Sequence, residues 1–302
     1  MGLLDGRVVL VTGGGRGIGR HHCVELAGHG ATVVVNDLGV GVHGDNADDT
    51  PAQQVVREIE SAGGTAMADG TSVTDYEGVG ALVERIVAHY GRLDAVVNNA
   101  GILRDAVLTS MSEDDWDAVI GVHLKGTFAV TKHACDYWRA IAKAGQPVSG
   151  RVVNTTSGTG LFGNIGQANY GAAKAAIASF TVITAMEMDR YHVTVNAISP
   201  LARTRMTEAF LAGPGEPGGW DVFDPANSAP VVAWLVSEGA GWLSGAILRV
   251  EGNEIQRVRP WEIDMDAVFS APHDGQLGAE EIDAGMRRAY HVLPRGTAGL
   301  KK

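Results

Sequence analysis

Cysteine is scarce. The 302 residues contain two, Cys23 and Cys135, both in helix-like segments with apolar neighbours and neither in a Cys-x-x-Cys. That argues against a disulfide framework and fits a reducing compartment. Lys/Arg-rich runs and basic stripes are missing, and the formal net charge is −11. Nucleic acid is therefore not expected as a partner, and the acidic balance serves solubility. No stretch of about 20 uncharged apolar residues occurs, so no membrane span is expected. Residues 1–6 run straight into a strand pattern, which leaves no room for a signal peptide. Gly6 stands where a myristoylation site after Gly2 needs Ser or Thr, and the chain ends Leu300-Lys301-Lys302 rather than in a Ser-Lys-Leu signal. A cytoplasmic location is the expectation. No metal is expected either: His21 and His22 are adjacent, so they point in different directions on a helix, and no carboxylate spacing completes a site.

Core-forming material is plentiful. Hydrophobic residues make up 45% of the chain, enough for one sizeable core in a single α/β domain. Short β-branched runs alternate with longer helical patterns. Strands are expected at residues 8–11, 32–35, 65–68, 93–97, 151–153, 193–198 and 246–250. Helices are expected at 17–30, 51–62, 74–90, 112–144 and 228–237, with one more carrying Tyr170 and Lys174. Pro51 suits a first helical turn, and Ser112 with Asp115 makes a variant capping box. This alternation predicts an α/β fold: a parallel, doubly wound sheet of about seven strands flanked by helices.

The stretch from Asn154 to Lys174 carries the chemistry. A strand runs into a polar end at Asn154–Ser157, a glycine-rich loop follows, and a helix then presents Tyr170 and Lys174 at i, i+4 on one face. Free tyrosine has a pKa of about 10. A nearby ammonium favours the phenolate and brings it toward working pH. Ser157, 170 − 157 = 13 residues upstream, sits at the carboxyl end of its strand, the end that lines the ligand crevice of a parallel sheet. The first strand–helix turn, Thr12-Gly13-Gly14-Gly15-Arg16-Gly17-Ile18-Gly19, departs from G-x-G-x-x-G. Its glycines still let backbone approach a pyrophosphate at a helix N-terminus. Asp37 lies 37 − 17 = 20 residues past Gly17, at the end of the second strand. A carboxylate there accepts adenosine ribose hydroxyls and repels a 2′-phosphate, favouring NAD over NADP. Arg16 is the counterweight, since a guanidinium can pair with that phosphate.

Three motifs in order, Thr12-Gly-x-x-x-Gly-Ile-Gly19, Asn98-Asn-Ala-Gly101 and Ser157 with Tyr170-x-x-x-Lys174, resemble a short-chain dehydrogenase/reductase of the single-domain type over residues 7 to about 252. The resemblance implies a Rossmann-type catalytic domain at 1–252 and a C-terminal extension at 253–302 packed on the domain or a neighbouring subunit. It implies Tyr170 as acid/base, Ser157 orienting the carbonyl, and Lys174 lowering the tyrosine pKa and binding the nicotinamide ribose. Gly13, Arg16, Gly17, Ile18, Gly19, Asp37, Asn98, Ala100, Gly101 and Thr204 would contact the cofactor, with Ser72 and Val73 against the adenine. Where the family usually has an asparagine that kinks the long helix and holds a proton-relay water, this chain has His123. A histidine can keep the backbone part of that role. Pro200-Leu201 also departs from the Pro-Gly that often follows the sixth strand.

The segments around Asp37, Asp105, His123 and Asn164 are similar to the branch that contains the (3R)-hydroxyacyl-CoA dehydrogenase domain of peroxisomal multifunctional enzyme type 2 and bacterial stand-alone relatives. That resemblance implies an acyl-CoA or steroid-like alcohol as substrate and a homodimer or homotetramer. An NADPH-dependent 3-oxoacyl-carrier-protein reductase and a non-catalytic nucleotide-binding regulator are the competing readings. Residues 201–227, rich in Gly and Pro, are expected to form a mobile loop over the cleft. A helix is expected at 279–290, and Trp261 and Phe269 are candidates for packing on the body, a neighbouring subunit or the substrate mouth.

Overall fold

The computed structural model describes residues 2–39, 50–203 and 220–259. Thr204, the Gly/Pro-rich stretch at 204–219, Trp261, Phe269 and the helix expected at 279–290 lie outside the described residues.

The chain opens with β1 (Val8–Thr12), α1 (Gly17–Gly28), β2 (Thr32–Asn36), α2 (Pro51–Ser61), β3 (Thr65–Asp69), α3 (Tyr76–Tyr90) and β4 (Ala95–Asn98). It continues through α4 (Glu113–Ile120), a π turn (Gly121–Lys125), α5 (Gly126–Lys143), β5 (Arg151–Thr155), α6 (Gly158–Phe162) and α7 (Ala168–Met188). It closes with β6 (Thr194–Leu201), α8 (Ala229–Leu235), β7 (Ile247–Glu251) and β8 (Glu254–Val258). One sheet runs in the order β3-β2-β1-β4-β5-β6-β7-β8, parallel except for β8, which pairs antiparallel with β7. The expected doubly wound fold is present, with an eighth strand beyond residue 252.

Every residue of β1 is buried, as its unbroken apolar run requires. Alternate side chains serve opposite faces. Val9 and Val11 join Cys23 and Leu26 of α1, Ile59 of α2 and Leu235 of α8. Val8 and Leu10 join Leu82 and Ile86 of α3, Trp138 of α5 and Met188 of α7. The order reverses between β1 and β4, so the carboxyl ends of these strands open a crevice there. Both cysteines are buried and unpaired.

Local rules set the ends. Ser112 and Asp115 form the expected capping box on α4, and Thr50 with Gln53 makes another on α2, ahead of Pro51 at its first turn. The helix expected at 112–144 is interrupted: Gly121–Lys125 widens into a π turn centred on His123. No helix among the described residues is long and apolar enough to cross a membrane. None of their His, Cys, Asp or Glu side chains form a group of three able to hold a metal ion.

Candidate active site

A cleft of about 990 Å³ opens at the carboxyl ends of the central strands. One half is walled by Gly13, Arg16, Gly17, Ile18, Gly19, Asp37, Ser72, Val73, Ala100 and Gly101, all expected at a dinucleotide. Gly13 and Gly17 hold φ of 62° and 51°, a region that favours glycine. At Gly19 a Cβ would overlap the Gly13 carbonyl, so the turn closes only on glycine. The Asp37 carboxylate accepts the Gly15 N–H (3.0 Å) and the Gly39 N–H (3.0 Å), which aims it beside the turn. Arg16 is exposed at the rim. The residues present therefore fit a nicotinamide dinucleotide: a glycine-rich turn leading into a helix N-terminus, with a fixed carboxylate next to it.

Asn98, expected beside the cofactor, points below the cleft. Its side chain is buried and donates to Thr131 Oγ1 (3.0 Å) and Asn154 Oδ1 (2.8 Å), tying β4 to α5 and β5 beneath the cleft. Asn99 faces the turn instead, donating from Nδ2 to the carbonyls of Thr12 and Gly13, each at 3.1 Å. Thr12 Oγ1 accepts the N–H groups of Asn99 and Ala100, each at 3.1 Å. Side chains alternate along a strand, so the second asparagine of the pair, not the first, meets the glycine turn.

The other half of the cleft holds the reactive groups. Ser157 caps α6, its Oγ accepting the Thr159 N–H at 3.3 Å. The Tyr170 ring lies beside it on α7, partly open to the cleft. Lys174 is buried; its Nζ donates to the Thr155 carbonyl at 2.6 Å and lies 5.7 Å from the centre of the Tyr170 ring. The start of α7 is fixed by Asn169, which accepts the Tyr170 N–H (2.7 Å) and donates to the carbonyls of Arg104 (2.9 Å) and Asp115 (3.1 Å).

His123 projects from the π turn into the same cluster. Its ring meets Tyr170 edge-on, with centroids 5.2 Å apart at 85°. Nε2 lies 3.0 Å from the Ile102 nitrogen and 2.8 Å from its oxygen, so either tautomer finds a partner, while Nδ1 is buried with no partner among the described residues. A Cβ on Gly101 would collide with this ring. Burial, helped by the Lys174 charge, pushes the imidazole pKa down to about 3, so it is neutral near pH 7.

The expected lowering of the phenol by the ammonium is not what the protein alone provides. Burial raises the Tyr170 pKa, opposed by its hydrogen bond with Ser157 and reinforced by Asp105. Burial also pushes the Lys174 ammonium down to about 7. The physical reason is desolvation: both charged forms lose water, and the amine's near partner is a carbonyl.

The short chain dehydrogenase family model matches residues 7–213. The chain is 43% identical to the hydroxyacyl-CoA dehydrogenase ChsB1 of Mycobacterium tuberculosis over 275 residues, 89% of this chain and 84% of that one. It is 41% identical to peroxisomal multifunctional enzyme type 2 of Drosophila melanogaster over 264 residues, 81% of this chain and 42% of that one. It spans 29% of the length of a peroxisomal hydratase-dehydrogenase-epimerase of Neurospora crassa and 42% of that Drosophila enzyme. The crystal structure of a short chain dehydrogenase from Mycobacterium avium superposes with a TM-score of 0.87 at 45% identity, covering 98% of this chain and 99% of that one. With this match, a sheet of that order and a cleft built on these motifs, the chain belongs to the short-chain dehydrogenase family of nicotinamide-dependent oxidoreductases acting on CH–OH groups.

Proposed function

We propose that this enzyme uses NAD to oxidise a 3-hydroxyacyl-CoA, or a hydroxysteroid or steroid side-chain CoA of similar shape, or to reduce the matching ketone. The observation that carries the reading is the convergence of Ser157, Tyr170 and Lys174 on one wall of the cleft, with Asp37 fixed at the far side of the glycine turn. The similarity to hydroxyacyl-CoA dehydrogenases supports the substrate class.

In the oxidative direction Ser157 Oγ hydrogen-bonds the substrate oxygen and the Tyr170 phenolate takes the hydroxyl proton. When bound, the nicotinamide supplies the two-electron acceptor for the hydride. Lys174 places positive charge under the phenolate as it forms, from a position fixed by Thr155. Its lowered pKa leaves it able to pass a proton near neutrality. His123 acts in this reading as a neutral peg that holds Ile102 and one edge of Tyr170. Thr204 stays in the proposed cofactor set from the sequence alone.

Exposed Phe128 on α5 and Ile183 and Met186 on α7 support a homodimer or homotetramer. A cytoplasmic catalytic domain at 1–252 with an extension at 253–302 completes the proposal. Arg16 at the rim favours a second reading, an NADPH-dependent 3-oxoacyl-carrier-protein reductase. A non-catalytic regulator is disfavoured by the intact Ser157, Tyr170 and Lys174. Measuring NAD and NADP reduction across a panel of 3-hydroxyacyl-CoAs and hydroxysteroids separates these. NAD-linked turnover of a hydroxyacyl-CoA or hydroxysteroid is the expected result. Turnover confined to NADPH and acyl-carrier-protein substrates would overturn it.

A further inference from the structure

The cleft contains an ion pair that the reaction does not use. Arg249 and Glu251 of β7 both line it. Register places Arg249 beside Ser199 and Glu251 beside Leu201 on β6. Alternation along β7 sends Leu248 and Val250 into the core and leaves residues 249 and 251 together on the opposite face. The two side chains are only 18% and 35% exposed. Both Arg249 bonds fall on one oxygen: Nε and Nη2 donate to Glu251 Oε2 at 3.2 and 2.9 Å. Among the described residues, Arg249 Nη1 and Glu251 Oε1 carry no protein hydrogen bond.

A guanidinium is costly to place in a half-buried wall, and Glu251 neutralises it there. The pair therefore suits a ligand group with no net charge. An anion would gain the guanidinium but face the carboxylate beside it. A neutral acceptor takes a hydrogen bond from the guanidinium without facing that repulsion. An amide carbonyl is such an acceptor; its N–H points the opposite way, and Glu251 serves to neutralise the arginine.

We infer that the Arg249–Glu251 pair, carried on strand β7, is a subsite for a secondary amide on the substrate. This rests on the proposed function and narrows it: the substrate is an acyl thioester with an amide-bearing arm, not a free hydroxysteroid. Arg249 and Glu251 are specificity-determining residues for that arm, and they take no part in proton or hydride transfer.

The test uses the full-length enzyme, NAD and three thioesters of one 3-hydroxy acid: with CoA, with N-acetylcysteamine (one amide), and with a plain S-alkyl group of similar length (no amide). The wild type is expected to prefer the amide-bearing thioesters in kcat/KM. In Arg249→Leu that preference falls about 10- to 100-fold, the size of one charge-assisted hydrogen bond, and the loss appears in KM. Glu251→Gln lowers it in the same sense by a smaller factor. An equal loss on all three thioesters would mark the pair as structural, and an unchanged preference would show that it does not touch the arm. Either result overturns the inference. Should Arg249→Leu fail to fold, Arg249→Lys, which keeps the charge and loses the fork, is judged by the same ratio. A wild type that oxidises a hydroxysteroid but no 3-hydroxyacyl thioester refutes this inference alone, and one that oxidises neither with NAD refutes the proposed function itself. One that oxidises all three without preference refutes only this subsite.

Discussion

Replacing His123 by asparagine should flatten the acid side of the stability profile by a calculable amount. His123 is 1% exposed and its pKa is pushed down to about 3, while an unfolded histidine sits near 6.5. His22 is likewise wholly buried, hydrogen-bonded to Ser228 Oγ at 3.1 Å, and pushed down to about 3. Above pH 6.5 both states hold a neutral ring and neither residue affects stability. As pH falls from 6.5 toward 3, the unfolded chain takes up protons that the folded one refuses, so folding weakens. Between pH 7 and pH 5 the loss is about 2 kcal/mol per histidine, about 4 kcal/mol for the two. Urea unfolding at both pH values measures it. The wild type should lose about 2 kcal/mol more than His123→Asn over that interval. Equal losses would mean that the imidazole is hydrated or charged in the folded state, and the description of a neutral peg would be wrong.

Gly19→Ala should abolish measurable dinucleotide binding, because the new methyl meets the Gly13 carbonyl; calorimetry showing wild-type affinity would contradict the closed turn. Asp37→Asn should lower kcat/KM for NAD by about tenfold or more and raise relative use of NADP, since the carboxylate that repels a 2′-phosphate is gone. An unchanged cofactor ratio would remove Asp37 from ribose recognition. Asn98→Ala should destabilise the fold by about 2–3 kcal/mol, because it strips Thr131 and Asn154 of a buried partner. Cofactor affinity should change far less, and the reverse pattern would restore Asn98 to the cofactor wall.

The sheet was legible because β-branched runs such as Val8–Val11 can be satisfied only by burial on both faces. Glycines 13, 17 and 19 and the Ser157–Tyr170–Lys174 spacing were legible because their chemistry is local to one turn or one helix face. Four features were not legible in the residues alone. The π turn at Gly121–Lys125 follows from how α4 and α5 pack around His123 and α7, which no periodicity within the segment records. The division of labour between Asn98 and Asn99 depends on which way each points when β4 ends. The i, i+4 spacing joins Lys174 to Tyr170 by charge, whereas the fold buries both and sets desolvation against that attraction. β8 leaves no such signal, because Glu254–Val258 is largely exposed and lacks the apolar run that identifies inner strands.

Tyr170→Phe tests the central claim most directly. It removes one oxygen from the cleft and leaves the ring packed against His123. Formation of reduced nicotinamide, followed by absorbance with a 3-hydroxyacyl-CoA and NAD, should fall by several orders of magnitude in kcat, while NAD affinity measured by calorimetry stays near the wild-type value. Turnover within about tenfold of the wild type would show that the phenol is not the group that carries the proton.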